Sequence, residues 1–161
     1  MMARLPVKRP WAWALAACAI AAVIEAVLAG TNVGLRLEEL IQPAGSPPLW
    51  LWAIIGGLYY VLFFFILRSL VGAPPVPRFT SRALVLAVAT LAANAGWNWV
   101  FFREKDLWLS TLYWVPYTLI AIALGHTLWR MRSPLFRWYA LYLAYFVYAT
   151  WWGISIWRLN R

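Results

Sequence analysis

Five long apolar stretches take up most of this chain, and each is separated from the next by a short polar or proline-rich joint. A bilayer core of roughly 30 Å is crossed by about 20 apolar residues in a helix, which satisfies the backbone hydrogen bonds within the segment. Each stretch has about that length. The sequence therefore predicts an all-α integral membrane protein, a single domain and five-transmembrane-helix bundle over residues 1–161, with spans at 11–29, 49–71, 83–102, 107–129 and 138–157.

The composition agrees with a membrane protein. Hydrophobic residues make up 65% of the chain and charged residues 12%, whereas ordinary globular domains carry roughly 25% charged residues. The ionisable groups inside the five stretches are few, namely Glu25, Arg68 near one end, and His126. The longest connection, residues 30–48, is rich in apolar side chains, and this favours a lid over the bundle rather than a disordered link.

The net charge of +9 would suit nucleic acid if the basic residues formed one patch, but they flank the apolar stretches instead. The positive-inside rule places the N-terminus in the cytoplasm and the first loop and the C-terminus outside, and we expect a bacterial cell membrane. Topology and anionic lipid explain the charge without nucleic acid as a partner. The nine basic residues of the inner side, which holds no acid, are Arg4, Lys8, Arg9, Arg68, Arg78, Arg82, Arg130, Arg132 and Arg137.

The first stretch has a second interpretation. Basic residues followed by an apolar run also describe a signal peptide, and the segment from Leu15 to Cys18 fits a lipoprotein cleavage box. Cleavage of the first span therefore stays open as an alternative to a permanent transmembrane helix.

The third stretch carries polar and aromatic residues on one side of its helix. Thr90, Asn94, Trp97, Asn98 and Phe101 follow one another at spacings of four, three, one and three, which places them on a common face. Amides in a membrane need partners, and hydrogen bonds between transmembrane helices contribute about 0.6 kcal/mol on average. The two interpretations, hydrogen bonding between helices and contact with a ligand, are compatible with each other.

The fourth and fifth stretches each carry a stripe in which small residues alternate with large rings. Such stripes suit a flat aromatic ligand between helices, since its faces would stack on Trp and Tyr rings. Tight packing of the bundle around the small residues is the alternative. The stripes consist of Ser110, Trp114, Tyr117 and Ala121, and of Tyr142, Tyr145, Ala149 and Trp152.

Glu25 lies within about two turns of the outer end of the first span. A carboxylate there is costly, so it should be protonated, reach the interface, or pair with Arg36 or a ligand. His126 near the inner end has no second His, Asp or Glu at ligand spacing, which disfavours metal or axial haem binding. No catalytic constellation is evident, so we expect no catalytic residues, no metal and no required cofactor.

The segment NAGWNWVFF at residues 94–102 resembles the Asn-x-x-Trp-x-x-x-Phe-Phe signature of the TspO/translocator protein family, also known as tryptophan-rich sensory proteins. Pro48, Trp50 and Tyr60 are similar to that family's Pro-Gly-Trp and later Leu-Tyr at its second helix. The end of the fifth stretch also resembles the family's closing segment, so the resemblance covers nearly the whole chain.

The resemblance implies a receptor-like binder of porphyrins (protoporphyrin IX or a haem-like tetrapyrrole) or similar flat hydrophobic molecules, with its pocket in the outer half of the bundle under the first loop. The alternatives are a light- and oxygen-dependent porphyrin-degrading enzyme and, since inverted repeats are missing, less readily a transporter. Small-residue faces such as Gly56-Gly57 and Ala92-Ala93 are compatible with a homodimer. The expected ligand-binding residues are Glu25, Trp50, Asn94, Trp97, Asn98, Trp114, Tyr142, Tyr145 and Ala149.

The chain departs from the family pattern where that pocket would lie. Leu141 and Tyr145 stand where the family has the proline and the tryptophan of its Pro-Tyr-x-x-Trp motif, and Gly56 stands at a position that usually holds tryptophan. Thr90 replaces a common glutamine, and Gly153 replaces a late asparagine. Exchange of an indole for a phenol changes both the volume and the hydrogen bonding of a pocket, so these positions bear on which ligand is accepted.

Overall fold

A computed structural model of the protein describes residues 8–72 and 77–161, and these residues are almost entirely helical, which confirms the all-α prediction. Arg4, residues 73–76 of the second joint and the side chain of Arg78 lie outside the described part. The elements are α1 (Pro10–Ala29), α2 (Val33–Glu39), α3 (Leu49–Gly72), α4 (Pro77–Asn98) with a π-helical turn (Trp99–Arg103), α5 (Leu107–Arg130) and α6 (Phe136–Leu159).

Four helices in the described residues are long and apolar enough to cross a membrane: α1, α3, α4 together with the π-helical turn, and α5. The chain is therefore an integral, multi-pass membrane protein. The expectation of five spans is met only in part, because α6 falls outside this criterion of hydropathy and charge. Eight of the 24 residues of α6 are Trp or Tyr, which hydropathy scales rank with polar residues although their rings are largely apolar.

Several helix ends follow directly from local sequence. Pro10 opens α1, where its fixed φ and missing N–H cause no loss, and Gly30 with φ 80° follows the last residue of α1. The carboxylate of Asp106 accepts a hydrogen bond of 2.8 Å from the backbone N–H of Leu109 and so caps the start of α5. Gly30 and Asp106 therefore mark where α1 ends and where α5 begins, and so bound the first and the third joint.

The long helices form a ring in which α1 lies between α3 and α4, and α5 lies between α4 and α6, while α3 approaches α6 over only a short stretch. Consecutive long helices run in opposite directions, so the start of α1 and the end of α3 meet at one end of the bundle. A Cβ added to Gly72 would lie 3.4 Å from Pro10 there. This end, which also holds the α5–α6 joint, is called the inner end below.

Large side chains from three helices are buried together in the inner half of the bundle. Phe63 and Ile66 of α3, Leu124 of α5 and Tyr139 of α6 are completely buried there. Buried rings contribute large apolar areas, and the Tyr139 hydroxyl is satisfied by donating to the carbonyl of Ala121 at 3.0 Å. These contacts hold α3, α5 and α6 together in this half.

The connection predicted as a lid crosses the outer end of the bundle and is tied to α6. The side chain of Asn160 donates to the carbonyl of Ile41 at 3.1 Å and accepts from its N–H at 2.8 Å, as a neighbouring strand would. Further along, Trp152 Nε1 donates to the Ser46 hydroxyl at 2.9 Å, and the Tyr148 hydroxyl donates to the Gly45 carbonyl at 2.9 Å. Side chains of α2 close the space beneath it.

Candidate functional site

A cavity of about 350 Å³ lies in the outer half of the bundle, under α2 and between the five long helices. This volume is at the lower end of the range of roughly 300–1,000 Å³ that small-molecule sites occupy. Most of the surface is apolar, and small side chains from α3 and α6 leave room between the rings. The rings that line it are those of Trp52, Tyr59, Tyr60, Trp97, Phe102, Trp114, Tyr117, Tyr142, Tyr145, Phe146 and Trp152.

The polar side of the cavity is built around the carboxylate of Glu25 on α1. Its Oε2 accepts hydrogen bonds from the Tyr60 hydroxyl of α3 and from Asn94 Nδ2 of α4, the latter at 2.6 Å. Its Oε1 accepts from Asn98 Nδ2 at 3.1 Å. Three donors from two neighbouring helices therefore converge on one half-buried carboxyl group.

The hydrogen bonds continue from Asn94 toward α5 and α6. The Tyr117 hydroxyl donates to Asn94 Oδ1 at 3.2 Å and lies 3.1 Å from the Tyr142 hydroxyl. Asn98 Nδ2 also lies 3.0 Å from the backbone carbonyl of Asn94, which can only accept. These contacts orient both amides, so that their NH₂ groups face Glu25.

Aromatic packing holds the opposite wall in place. Trp114 stacks on Tyr117 with an interplanar angle of 1° and a centroid distance of 5.7 Å, and the edge of Phe146 approaches it at 5.0 Å. The Trp114 ring is buried, and its Nε1 has no hydrogen-bond partner in the described residues. That nitrogen faces Gly153, where an added Cβ would lie 2.6 Å from it. Only glycine permits this approach of α6 to the indole.

The π-helical turn ends the α4 segment that carries the amides. The N–H of Glu104 bonds to the carbonyl of Trp99 at 3.1 Å, five residues back, and such a turn inserts one extra residue into a helix. Phe101 is buried against Trp97, with stacked rings 4.9 Å apart, whereas Phe102 lines the cavity. The sequence pattern predicted a regular helix here, and it carries no signal for the wider turn.

Eight of the nine residues expected to contact a ligand line this one cavity: Glu25, Asn94, Trp97, Asn98, Trp114, Tyr142, Tyr145 and Ala149. Trp50 does not. Its side chain is 64% exposed on the outside of α3, and Trp52 lines the cavity instead. Two residues correspond to about 200° around a helix, so the two indoles lie on nearly opposite faces.

The suggested pairing of Glu25 with Arg36 is wrong. Arg36 donates to Glu39 at 3.4 Å and to the backbone carbonyl of Lys105 at 3.2 Å, outside the cavity. The partners of Glu25 are neutral side chains. The two interpretations of the α4 amides coexist, because Asn94 and Asn98 join α4 to α1 through Glu25 and also line the cavity.

The α3 wall is the part of the site that the sequence analysis did not identify as a face. Trp52, Gly56, Tyr59 and Tyr60 line the cavity together, at spacings of four, three and one that place them on one side of a helix. The same periodicity that singled out α4 was therefore present in α3. Gly56 deepens this wall, since a Cβ added there would meet no atom within 4 Å.

Comparison with known proteins yields one match. A model of the TspO/MBR family matches residues 14–158, nearly the whole chain. No curated protein and no solved structure matched the chain.

Proposed function

Because the chain belongs to the TspO/MBR family, we propose that it is a membrane receptor-like binder of tetrapyrroles, or of similarly flat hydrophobic molecules, in the cavity of its outer half. The observation that carries this proposal is the composition of that cavity. Aromatic rings from α3, α4, α5 and α6 face one space, and one polar group lies at its α1 side. Such a space accepts the faces of a planar ligand and orients its polar edge.

Small residues support a planar ligand over a bulky one. Gly56 of α3 and Ala149 of α6 line the cavity among the rings, and such small residues leave space between α3 and α6 into which a flat ring would fit. Protoporphyrin IX or a haem-like tetrapyrrole is the candidate ligand that the family suggests. It is a ligand in this proposal and not a required cofactor.

The proposal also takes α6 as a fifth transmembrane span, and it takes the orientation of the protein in the membrane from the positions of its basic residues. No Asp, Glu, Lys or Arg lies between Trp138 and Trp157, and α6 lies beside α5 along the bundle. Lys8, Arg9 and Arg82 lie at the inner end with the α5–α6 joint, which supports a cytoplasmic inner end. In this orientation the cavity lies at the level of the outer leaflet, in a membrane that we take to be a bacterial cell membrane.

Two finer expectations belong to the same proposal. Gly57 and Ala92 are exposed on the outside of the bundle, where small residues would allow close contact with a second copy in a homodimer. A porphyrin held among these rings would also have electron donors beside it. Light- and oxygen-dependent degradation of the bound porphyrin is therefore the alternative function.

The experiment compares two phenylalanine variants of adjacent glycines. Purified protein in detergent is titrated with protoporphyrin in the dark, and tryptophan quenching and the porphyrin absorption band are followed. Gly56→Phe places a ring inside the cavity, whereas Gly57→Phe places the same ring on the outer face. We expect saturable binding by the parent protein and by Gly57→Phe, and loss of that binding in Gly56→Phe.

The outcomes separate the functions. Equal binding by both variants would exclude the cavity as the site, and the absence of saturable binding by the parent would exclude a porphyrin receptor. The same samples are then illuminated in air. A new absorbing product that needs light and disappears in Gly56→Phe would favour the degrading enzyme over the receptor.

A further inference from the structure

The inner end of the bundle carries an open groove that the proposed function does not use. It has a volume of about 770 Å³ and lies where α5 passes through a short joint into α6. None of its residues lines the cavity of the outer half. The lining combines two arginines with polar and apolar side chains: Trp129, Arg132, Ser133, Pro134, Phe136, Arg137, Trp138 and Leu141.

The two arginines of this groove have no carboxylate from the protein to pair with. Of the five acids in the chain, Glu25 lies within α1 and the other four lie at the outer joints. Both ion pairs within the described residues involve Glu39, at the outer end. Arg132 and Arg137 are exposed at the opposite end of the bundle. Their positive charge therefore has to be balanced from outside the chain.

The backbone at Arg132 suggests that its side chain has a role. Its φ of 51° lies in the left-handed region, which residues with a Cβ seldom adopt. The N–H of Ser133 bonds to the carbonyl of Leu128 at 3.1 Å, and the N–H of Arg132 bonds to that of Trp129 at 2.9 Å. This is the pattern of a helix end that usually has glycine at the position of Arg132. Strained residues of this kind occur where function requires a particular side chain.

The groove continues from these charges onto an apolar surface. Arg137 and Leu141 are one helical turn apart on the same face of α6, and Trp138 lies beside Leu141 at a spacing of three. Trp129, Trp138 and Leu141 are exposed, and Trp residues are typical of the level at which a membrane meets water. A molecule with a charged head and an apolar chain fits this order, whereas a free anion would use only the charged part.

We propose that this groove binds the phosphate head group of an anionic phospholipid, with an acyl chain beside Trp138 and Leu141. Arginine suits such a group, because its planar fork of N–H donors can bind two phosphate oxygens at once. Basic pockets between transmembrane helices are a known form of head-group site. A zwitterionic lipid carries its own cation beside the phosphate, so it should bind more weakly. This site is separate from the ligand cavity, and its failure would leave the proposed function intact.

A lipid titration tests the charge preference. Phosphatidylglycerol with a pyrene-labelled acyl chain is titrated into the full chain in a non-ionic detergent, and energy transfer from tryptophan to pyrene is followed. Phosphatidylcholine with the same labelled chain measures partition into the micelle and binding that does not depend on charge. We expect phosphatidylglycerol to bind at least about tenfold more tightly than phosphatidylcholine.

Four variants test the position of the site. Arg132→Asn removes one charge, and asparagine tolerates the positive φ of this turn. Arg132→Asn and Arg137→Gln should each weaken binding of phosphatidylglycerol about fivefold. Arg130→Gln removes the same charge from the end of α5 but lies outside the groove, so its affinity should stay within about twofold. Gly56→Phe fills the outer cavity and should bind the lipid as the parent does. Thermal unfolding of each variant checks that the fold is retained.

The results that would overturn the proposal differ in what they exclude. Equal affinities for the two lipids would exclude a site for anionic head groups. Equal losses in the variants of Arg130, Arg132 and Arg137 would show a diffuse attraction to the charge of the joint. Loss of binding in Gly56→Phe would place the lipid in the cavity. Inorganic phosphate should displace the labelled lipid far less effectively than unlabelled phosphatidylglycerol does, and equal displacement would overturn the assignment to a lipid.

Discussion

Replacement of Gly153 by alanine should damage the site from the α6 side. The added Cβ would lie 2.6 Å from Trp114 Nε1 and 3.4 Å from its Cε2. The indole has to retreat by most of an ångström to restore normal contact. Tyr117 stacks on one side of it and the edge of Phe146 approaches it from another. Trp97 packs against it as well, with the ring centroids 5.2 Å apart. Because Trp114 also lines the cavity, we expect its displacement to change the ligand space.

The size of the effect follows from the contact. An extra methyl group in a well-packed region costs about 1–3 kcal/mol, and 1 kcal/mol shifts the Tm of a chain of this size by about 2–4 °C. The higher helix propensity of alanine, about 1 kcal/mol, offsets part of this cost relative to the parent. The fall in Tm is therefore measured against a glycine-to-alanine variant that lacks the contact, and it should be about 2–12 °C. Gly57→Ala has the same propensity gain and no atom within 4 Å of its new Cβ.

The assay is thermal unfolding of the two variants and the parent in one detergent, followed by the dark protoporphyrin titration. We expect Gly57→Ala to match or exceed the parent in Tm and to bind as the parent does. Gly153→Ala should be less stable than Gly57→Ala and should bind more weakly. Equal Tm values and equal affinities for the two alanine variants would refute the reasoning, because the Trp114 contact would then have no consequence.

Two further predictions concern the α3 wall and the lid. Trp52→Ala should weaken binding of protoporphyrin at least about tenfold, because stacking on an aromatic side chain contributes about 1–3 kcal/mol per ring in other systems. Trp50→Ala should leave the Kd within about twofold in the same quenching titration. A larger effect of Trp50→Ala than of Trp52→Ala would contradict the placement of α3. Asn160→Ala removes both side-chain hydrogen bonds to Ile41. It should speed amide hydrogen exchange over residues 40–46 without changing exchange in the inner half of α3. Unchanged exchange over residues 40–46 would show that the lid is held by other contacts.

Much of this architecture follows from local patterns that the sequence displays. Length and apolarity located the helices to within a few residues at most ends, as the prediction of 49–71 against Leu49–Gly72 illustrates. Periodicity of 3.6 residues placed Asn94, Trp97 and Asn98 on one face, and that face does line the cavity. Both inferences need only interactions within one helix.

The contacts between helices were not predictable in the same way. The donors to Glu25 lie 35 to 73 residues away along the chain, and no local spacing indicates that separation. Trp50 matches a family motif, yet the rotation of α3 about its own axis decides which indole points inward, and that indole is Trp52. In the structure Trp52, Gly56 and Tyr59 lie on the inward face of α3 and line the cavity. The ties between Asn160 and the lid depend likewise on the closed fold.

The most direct test of a ligand cavity in the outer half is protection of a single thiol. The chain has one cysteine, the buried Cys18, which is replaced in the background variant Cys18→Ala. Gly56→Cys and Gly57→Cys are then made separately and labelled with a small uncharged thiol reagent, with and without saturating protoporphyrin in the dark. The account predicts that protoporphyrin slows labelling of Gly56→Cys and leaves labelling of Gly57→Cys unchanged. Equal protection of both variants, or of neither, would contradict it.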